Sequence, residues 1–216
     1  MRYSEDIDLN VLHVAKDTLQ KRMRKALASR SLASMLAAKG IAIAKVTEGK
    51  QTETTQRWKV ELSASGSRGV VRTKVEFSRR GPDTGEGIEF GAVDVRIAHA
   101  YGIVPPLLHH YSVAEATRQK IDALADRKET QARDVFDLDL LFARKPALHV
   151  DEELREQATS SAERAVSLTY DEYAGQVVAF LESEFQELYR DRAHWDAMRE
   201  RVVAALHAIM RDEGTR

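Results

Sequence analysis

Cysteine is absent from this 216-residue chain, which excludes disulfides, thiolate zinc sites and cysteine nucleophiles. A cysteine-free composition also fits a reducing compartment, so a cytoplasmic location is expected. Long apolar runs are missing as well: none approaches the ~20 residues that a membrane span needs, and no membrane association is expected. The first residues lack the basic-then-apolar pattern of a secretory signal. Zinc-type spacing is lacking among the seven histidines; His109 and His110 are adjacent, and adjacent side chains diverge on a helix or a strand. No internal repeat or low-complexity tract is present. What remains is 43% hydrophobic and 31% charged, an ordinary globular composition long enough for one large domain or two small ones.

The net charge of −1 hides an asymmetry. Residues 1–80 carry 17 Lys and Arg against 8 Asp and Glu, and residues 81–216 carry 16 against 26. A basic first part suits a polyanionic partner such as a nucleotide or a nucleic acid, although solvated helix faces also carry charge of either sign.

Within that basic part lies the densest signal, Arg2-Tyr3-Ser4-Glu5-Asp6-Ile7-Asp8-Leu9. On a strand, Asp6 and Asp8 project to one face while Ile7 and Leu9 point the other way, into a core. Two neighbouring carboxylates repel unless a cation lies between them. Mg²⁺, which takes one or two protein carboxylates together with phosphate and water, is the usual one. Solvated acids on an N-terminal segment are the alternative.

Apolar spacing predicts a helix over 13–39 that stops at Gly40, then strands at Ile41–Val46, Trp58–Leu62 and Val70–Phe77. A turn-rich stretch near 80–87 leads to a β-type segment over 88–97, and Pro105-Pro106 opens a region expected to be wholly helical. Helices are expected near 112–126, 132–144, 151–166, 171–191 and 193–211. In the last two, Val177, Val178, Leu181, Phe185 and Leu188 form one core stripe, and Trp195, Met198, Val202, Leu206 and Ile209 form another.

Three further groups could carry chemistry. Lys74-Val75-Glu76 alternates on a strand, so Glu76 could add a third carboxylate beside Asp6 and Asp8 or serve a cross-strand ion pair. Ser112 followed by Glu115 reads as a helix cap, and Lys120 and Arg127 on that helix could reach a triphosphate or lie in solvent. In Arg133-Asp134-Val135-Phe136-Asp137-Leu138, both aspartates lie near a helix N-terminus, where capping alone accounts for them.

The order of these motifs is informative. R-x-S-x-D-I-D-L, a K-V-E strand, A-x-x-x-K-x-x-A-L-x-x-R and R-D-x-F-D-L resemble the AbiEii/AbiGii-type nucleotidyltransferase toxins of bacterial toxin–antitoxin pairs, over about residues 2–142. The resemblance implies an α+β fold: a minimal, polymerase-beta-like nucleotidyltransferase core with a mixed sheet over 1–104, then an all-helical region over 105–216. It assigns Asp6 and Asp8 to catalysis and Mg²⁺, with Glu76 as a third metal carboxylate. Lys120 becomes the nucleotide-phosphate lysine, Asp134 a catalytic or positioning aspartate, and Arg2, Ser4 and Arg127 nucleotide-binding residues. A Gly-Gly-Ser/Thr turn that precedes the D-x-D pair in the family and cradles the triphosphate is absent from this sequence, and weak nucleotide binding is the expected consequence.

The implied activity is transfer of a nucleoside monophosphate from a nucleoside triphosphate to an acceptor, RNA and in particular the tRNA 3′ end, with a cognate antitoxin as protein partner. The alternative is a non-catalytic module of the same fold that binds RNA or the antitoxin. A DNA-binding regulator ranks lower, because nothing resembles a helix-turn-helix. Ser4 would share the carboxylate face on a continuous strand, so a phosphate there would compete for the cation.

Overall fold

In the computed structural model, residues 6–79 and 85–211 are described. Arg2, Ser4 and the stretch 80–84 lie outside the described residues. The chain divides into two compact units at Glu86/Gly87.

The first unit is built on a four-stranded sheet. Its strands are β1 (Asp6–Asn10), β2 (Ile41–Gln51), β3 (Thr55–Ala64) and β4 (Val70–Ser78), in the order β1-β4-β3-β2. β2, β3 and β4 form an antiparallel meander, and β1 joins β4 in parallel. A parallel partner needs a long connection, and here the chain between β1 and β4 supplies two helices and the other two strands. The helices are α1 (Lys16–Leu27) and α2 (Arg30–Ala37).

The single helix expected over 13–39 is therefore two. Ser29 takes an extended conformation, and its hydroxyl accepts a hydrogen bond from the Leu32 backbone N–H at 3.2 Å, capping a new start. Apolar spacing runs through the break, which is why periodicity alone does not reveal it. Gly40 ends α2 at φ 68°, a left-handed conformation that favours glycine.

α1 covers one face of this sheet. Leu19, Trp58 and Phe77 form its buried centre, with Val11, Val14, Met23, Leu27 and Val75 around them. Trp58 and Phe77 meet edge to face at 5.8 Å. Arg24 on α1 grips Glu48 on β2 with two hydrogen bonds, Nε to Oε1 at 2.5 Å and Nη2 to Oε2 at 2.8 Å. Ile7 and Leu9 were expected in the core but are 52% and 43% exposed. Their register partners Val75 and Phe77 belong to the helix-covered side. β1 is an edge strand, however, and α1 does not extend over it far enough to bury them.

The second unit is mostly helical, with one departure from expectation. Strand β5 is short (Ile88–Ala92), and the helix α3 (Val95–Ala100) follows it, capped by Asp94, instead of strand continuing to 97. After Pro105-Pro106 comes a strand, β6 (Leu107–Tyr111), paired antiparallel with β5, so the region beyond 105 is not wholly helical. The Pro106 carbonyl accepts from Val93 N–H, a bond that proline can make as acceptor though never as donor.

The remaining helices are α4 (Val113–Asp126), α5 (Ala132–Phe142), α6 (Glu152–Ser167), α7 (Tyr170–Gln176), α8 (Ser183–Tyr189) and α9 (Arg192–Arg211). The helix expected over 171–191 is broken by a 3₁₀ turn at Val178–Phe180. The break lets both Val177 and Leu181 reach the core, whereas Leu188 is left 58% exposed. Trp195, Met198, Val202, Leu206 and Ile209 are all buried along α9, as their spacing predicts. Trp195 stacks on Tyr173 at 4.6 Å.

Two outcomes follow from this packing. Leu206→Ala removes a fully buried side chain and should cost about 2–5 kcal/mol, whereas Leu188→Ala should stay within about 0.5 kcal/mol; urea unfolding followed by circular dichroism compares them. Glu48 is held down to about 2 from its ordinary 4.5, chiefly by the Arg24 hydrogen bond, against the opposing effect of burial. A depressed carboxylate stabilises above its unfolded pKa and loses that contribution as pH falls towards the folded one, here from about 4.5 to about 2. Between roughly pH 5 and pH 3 the wild-type melting temperature should therefore fall further than that of Glu48→Gln.

Candidate active site

Side chains alternate along each strand, and register partners point to the same side, so the faces of the first sheet can be read off the pairing. Asp6 lies opposite Lys74, and Asp8 opposite Glu76. Across the next seam Glu76 lies opposite Arg57, Lys74 opposite Lys59, and Arg72 opposite Glu61. All of these share the face turned away from α1. Asp6, Asp8 and Glu76 are thereby brought onto one exposed face, the arrangement that alternation in Asp6-Ile7-Asp8 predicts.

Most of this charge is paired. Lys74 Nζ lies 2.8 Å from Asp6 Oδ2, Arg57 Nε 2.5 Å from Glu76 Oε2, and Arg72 Nε 3.3 Å from Glu61 Oε1. Among the described residues, Asp8 makes no ion pair. Hard carboxylate oxygens on one face are the donors that Mg²⁺ takes, and one or two protein carboxylates suffice, so Asp6 and Asp8 fit that ion in kind. Glu76 is engaged by Arg57, and among the described residues no group of three or more His, Asp or Glu is arranged to hold a metal.

The second set of motif residues lies in the helical unit. Ser112 caps α4, accepting from the Glu115 N–H at 3.1 Å, and Ile121 and Leu124 anchor the helix in the core. Lys120 then faces α5. Its ammonium lies 3.0 Å from Asp134 Oδ1 and 2.7 Å from Asp137 Oδ2. Arg127 Nε reaches Asp134 Oδ2 at 2.8 Å. The Arg127 carbonyl accepts from Arg164, which fixes the end of α4 against α6.

Burial separates the two aspartates. The Asp134 side chain is fully buried and bound by two cations, so it aims Lys120 and Arg127 rather than meeting solvent. Asp137 is 19% exposed. With Lys120 and Tyr111 it lines a cavity of about 360 Å³. It also lines a neighbouring hollow of about 730 Å³ that includes Asp94, Arg96, Phe136 and Tyr189. Asp137 is thus the carboxylate of this motif that a ligand could touch. Its place three residues after Asp134 is the sequence signal for it, but capping explains that spacing equally well.

Removing Asp134 leaves Arg127 without this partner and Lys120 with Asp137 alone. Asp134→Ala should destabilise the helical unit by about 3–5 kcal/mol, and Asp137→Ala by clearly less. Urea unfolding midpoints decide this, and equal losses would contradict the division of roles.

Among curated proteins, none matches the chain. A crystal structure of a candidate nucleotidyltransferase from H. pylori superposes with a TM-score of 0.57 at 17% identity, covering 100% of this chain and 83% of the other. The crystal structure of JHP933 from Helicobacter pylori gives a TM-score of 0.52 at 18% identity, covering 96% and 78% respectively. At such identities the likeness is one of fold: a four-stranded mixed sheet followed by helices, in an α+β chain. The family described as nucleotidyl transferase AbiEii toxin, type IV TA system, matches residues 1–212, and to that toxin family the chain belongs.

Proposed function

We propose that this toxin-family nucleotidyltransferase transfers a nucleoside monophosphate from a nucleoside triphosphate to a hydroxyl of an RNA, with the tRNA 3′ end as the favoured acceptor. The acceptor oxygen bonds to the α-phosphorus, the bond from that phosphorus to the pyrophosphate oxygen breaks, and the hydroxyl proton is released to solvent. The observation that carries this reading is the parallel β1–β4 register, which sets Asp6 and Asp8 side by side on an exposed face with Asp8 free of ion pairs among the described residues. Asp6 and Asp8 would hold Mg²⁺, and the chemistry it would supply there is neutralisation of negative charge on the phosphoryl oxygens.

The chain's own residues divide the remaining work. Asp6 and Asp8 supply the carboxylate oxygens. Lys74 balances Asp6 and keeps the pair tolerable without a cation. Within the helical unit, Lys120, aimed by buried Asp134, is the proposed phosphate-binding lysine, and Asp137 shares its ammonium. Arg2 and Ser4, outside the described residues, complete the proposed nucleotide contacts. The family's toxin–antitoxin membership implies an antitoxin as partner.

A second reading has a specific observation behind it. Glu76 and Asp6 already hold Arg57 and Lys74, as they would in a non-catalytic module that binds RNA or the antitoxin.

Incubation with each α-labelled triphosphate, total RNA and Mg²⁺ separates the two readings. Label should enter a small RNA, and Asp8→Ala should lower incorporation by about a hundredfold or more. Equal incorporation by Asp8→Ala would overturn the assignment, and no incorporation with any triphosphate would favour the binding module.

A further inference from the structure

The exposed face of the first sheet carries more cations than its carboxylates engage. Running across the strands, one row reads Asp6, Lys74, Lys59 and Thr47, and the next reads Arg72, Glu61 and Lys45. Lys74 is taken by Asp6, Arg72 by Glu61, and Arg57 by Glu76. Lys59 and Lys45 make no ion pair among the described residues, and both are exposed.

Lys59 also lies directly opposite Lys74. Like charges placed opposite each other on a sheet are destabilising. The carboxylates flanking Lys59 are already engaged: Glu61 on its own strand holds Arg72, and Glu76 on β4 holds Arg57. A fold-only explanation would put a neutral or acidic side chain at residue 59. Two strand spacings separate β1 from β3, so Lys59 lies roughly 10 Å across the sheet from the Asp6–Asp8 strand, on the same face.

We infer that Lys59 and Lys45, with Lys74 at their edge, form a phosphate-binding strip that holds the backbone of the acceptor RNA strand as it approaches the Asp6–Asp8 edge. The name of the strand, RNA, rests on the transfer reading above; the strip itself rests on the pairing pattern of the face. Lysines suit this task as point charges that track a backbone without reading its sequence. The strip gives a role to Lys59 and Lys45, which make no ion pair among the described residues and lie on the carboxylate side of the sheet. The basic helix α1, with Lys21, Arg22 and Lys25, is the competing surface, and it belongs to the opposite side.

The test is binding alone, with fluorescently labelled tRNA, chelator present and no triphosphate, over a series of salt concentrations. Full-length wild type should bind with a salt-dependent affinity. Lys59→Ala should weaken binding roughly three- to tenfold and lower the slope of log affinity against log salt by about 0.7 to 1. Lys59→Arg should restore both, and the double variant Lys45→Ala/Lys59→Ala should lose more. Lys21→Ala/Arg22→Ala should bind as wild type. Thermal melts check that each variant is folded.

Unchanged binding by a folded Lys59→Ala protein would overturn the strip, as would loss confined to the α1 variants or a wild type that binds no RNA. The transfer reading fails separately. A protein that binds tRNA through Lys59 and transfers no nucleotide keeps the strip and loses the catalysis.

Discussion

The parallel pairing of β1 with β4 is the constraint on which the candidate site depends. An edge strand of five residues contributes little to the core, and two of its apolar residues stay largely exposed. Its register nevertheless decides which side chains meet. Asp6 opposite Lys74 and Asp8 opposite Glu76 put the acidic pair on the open face, at the sheet edge beside the charged residues of β4. A one-residue slip would turn both carboxylates towards the α1 side and bring Ile7 and Leu9 to the open one. The rest of the unit holds that register: the meander fixes β4, and the Val11 N–H bond to Ser78 carries the pairing one residue past the strand.

A different rule organises the helical unit. There the motif residues are tied to one another in a partly buried network, Lys120 between two aspartates and Asp134 between two cations. Breaking one member of such a network leaves charge without its partner, so a substitution at Asp134 perturbs the fold along with any role proposed for it, as one at Asp8 does not. The sheet face is open and its ion pairs are solvated, so substitutions there can change chemistry while leaving stability nearly intact.

Much of this was legible from residue order. Period-two alternation placed Asp6 and Asp8 together, and period-3.6 spacing placed Trp195, Met198, Val202, Leu206 and Ile209 in the core. Other features needed the third dimension. The break at Ser29 is set by a single cap inside an otherwise continuous apolar pattern. β6 follows two prolines and carries two histidines, so nothing in its spacing distinguishes it from a loop, and only pairing with β5 makes it a strand. Exposure of Ile7 and Leu9 follows from edge position, which alternation does not encode. Neutralisation of Asp6 by Lys74 depends on register between segments some 70 residues apart, and the division between buried Asp134 and accessible Asp137 depends on how α5 is turned against α4.

The central claim is that β1–β4 pairing builds a cation-binding carboxylate pair restrained by Lys74. Titration of Mn²⁺, as a spectroscopic substitute for Mg²⁺, into wild type, Asp8→Asn and Lys74→Met tests it without reference to any substrate. Saturable binding by wild type, much weaker binding by Asp8→Asn and tighter binding by Lys74→Met, where no ammonium competes for Asp6, is the predicted result. Equal affinity in all three proteins would contradict it.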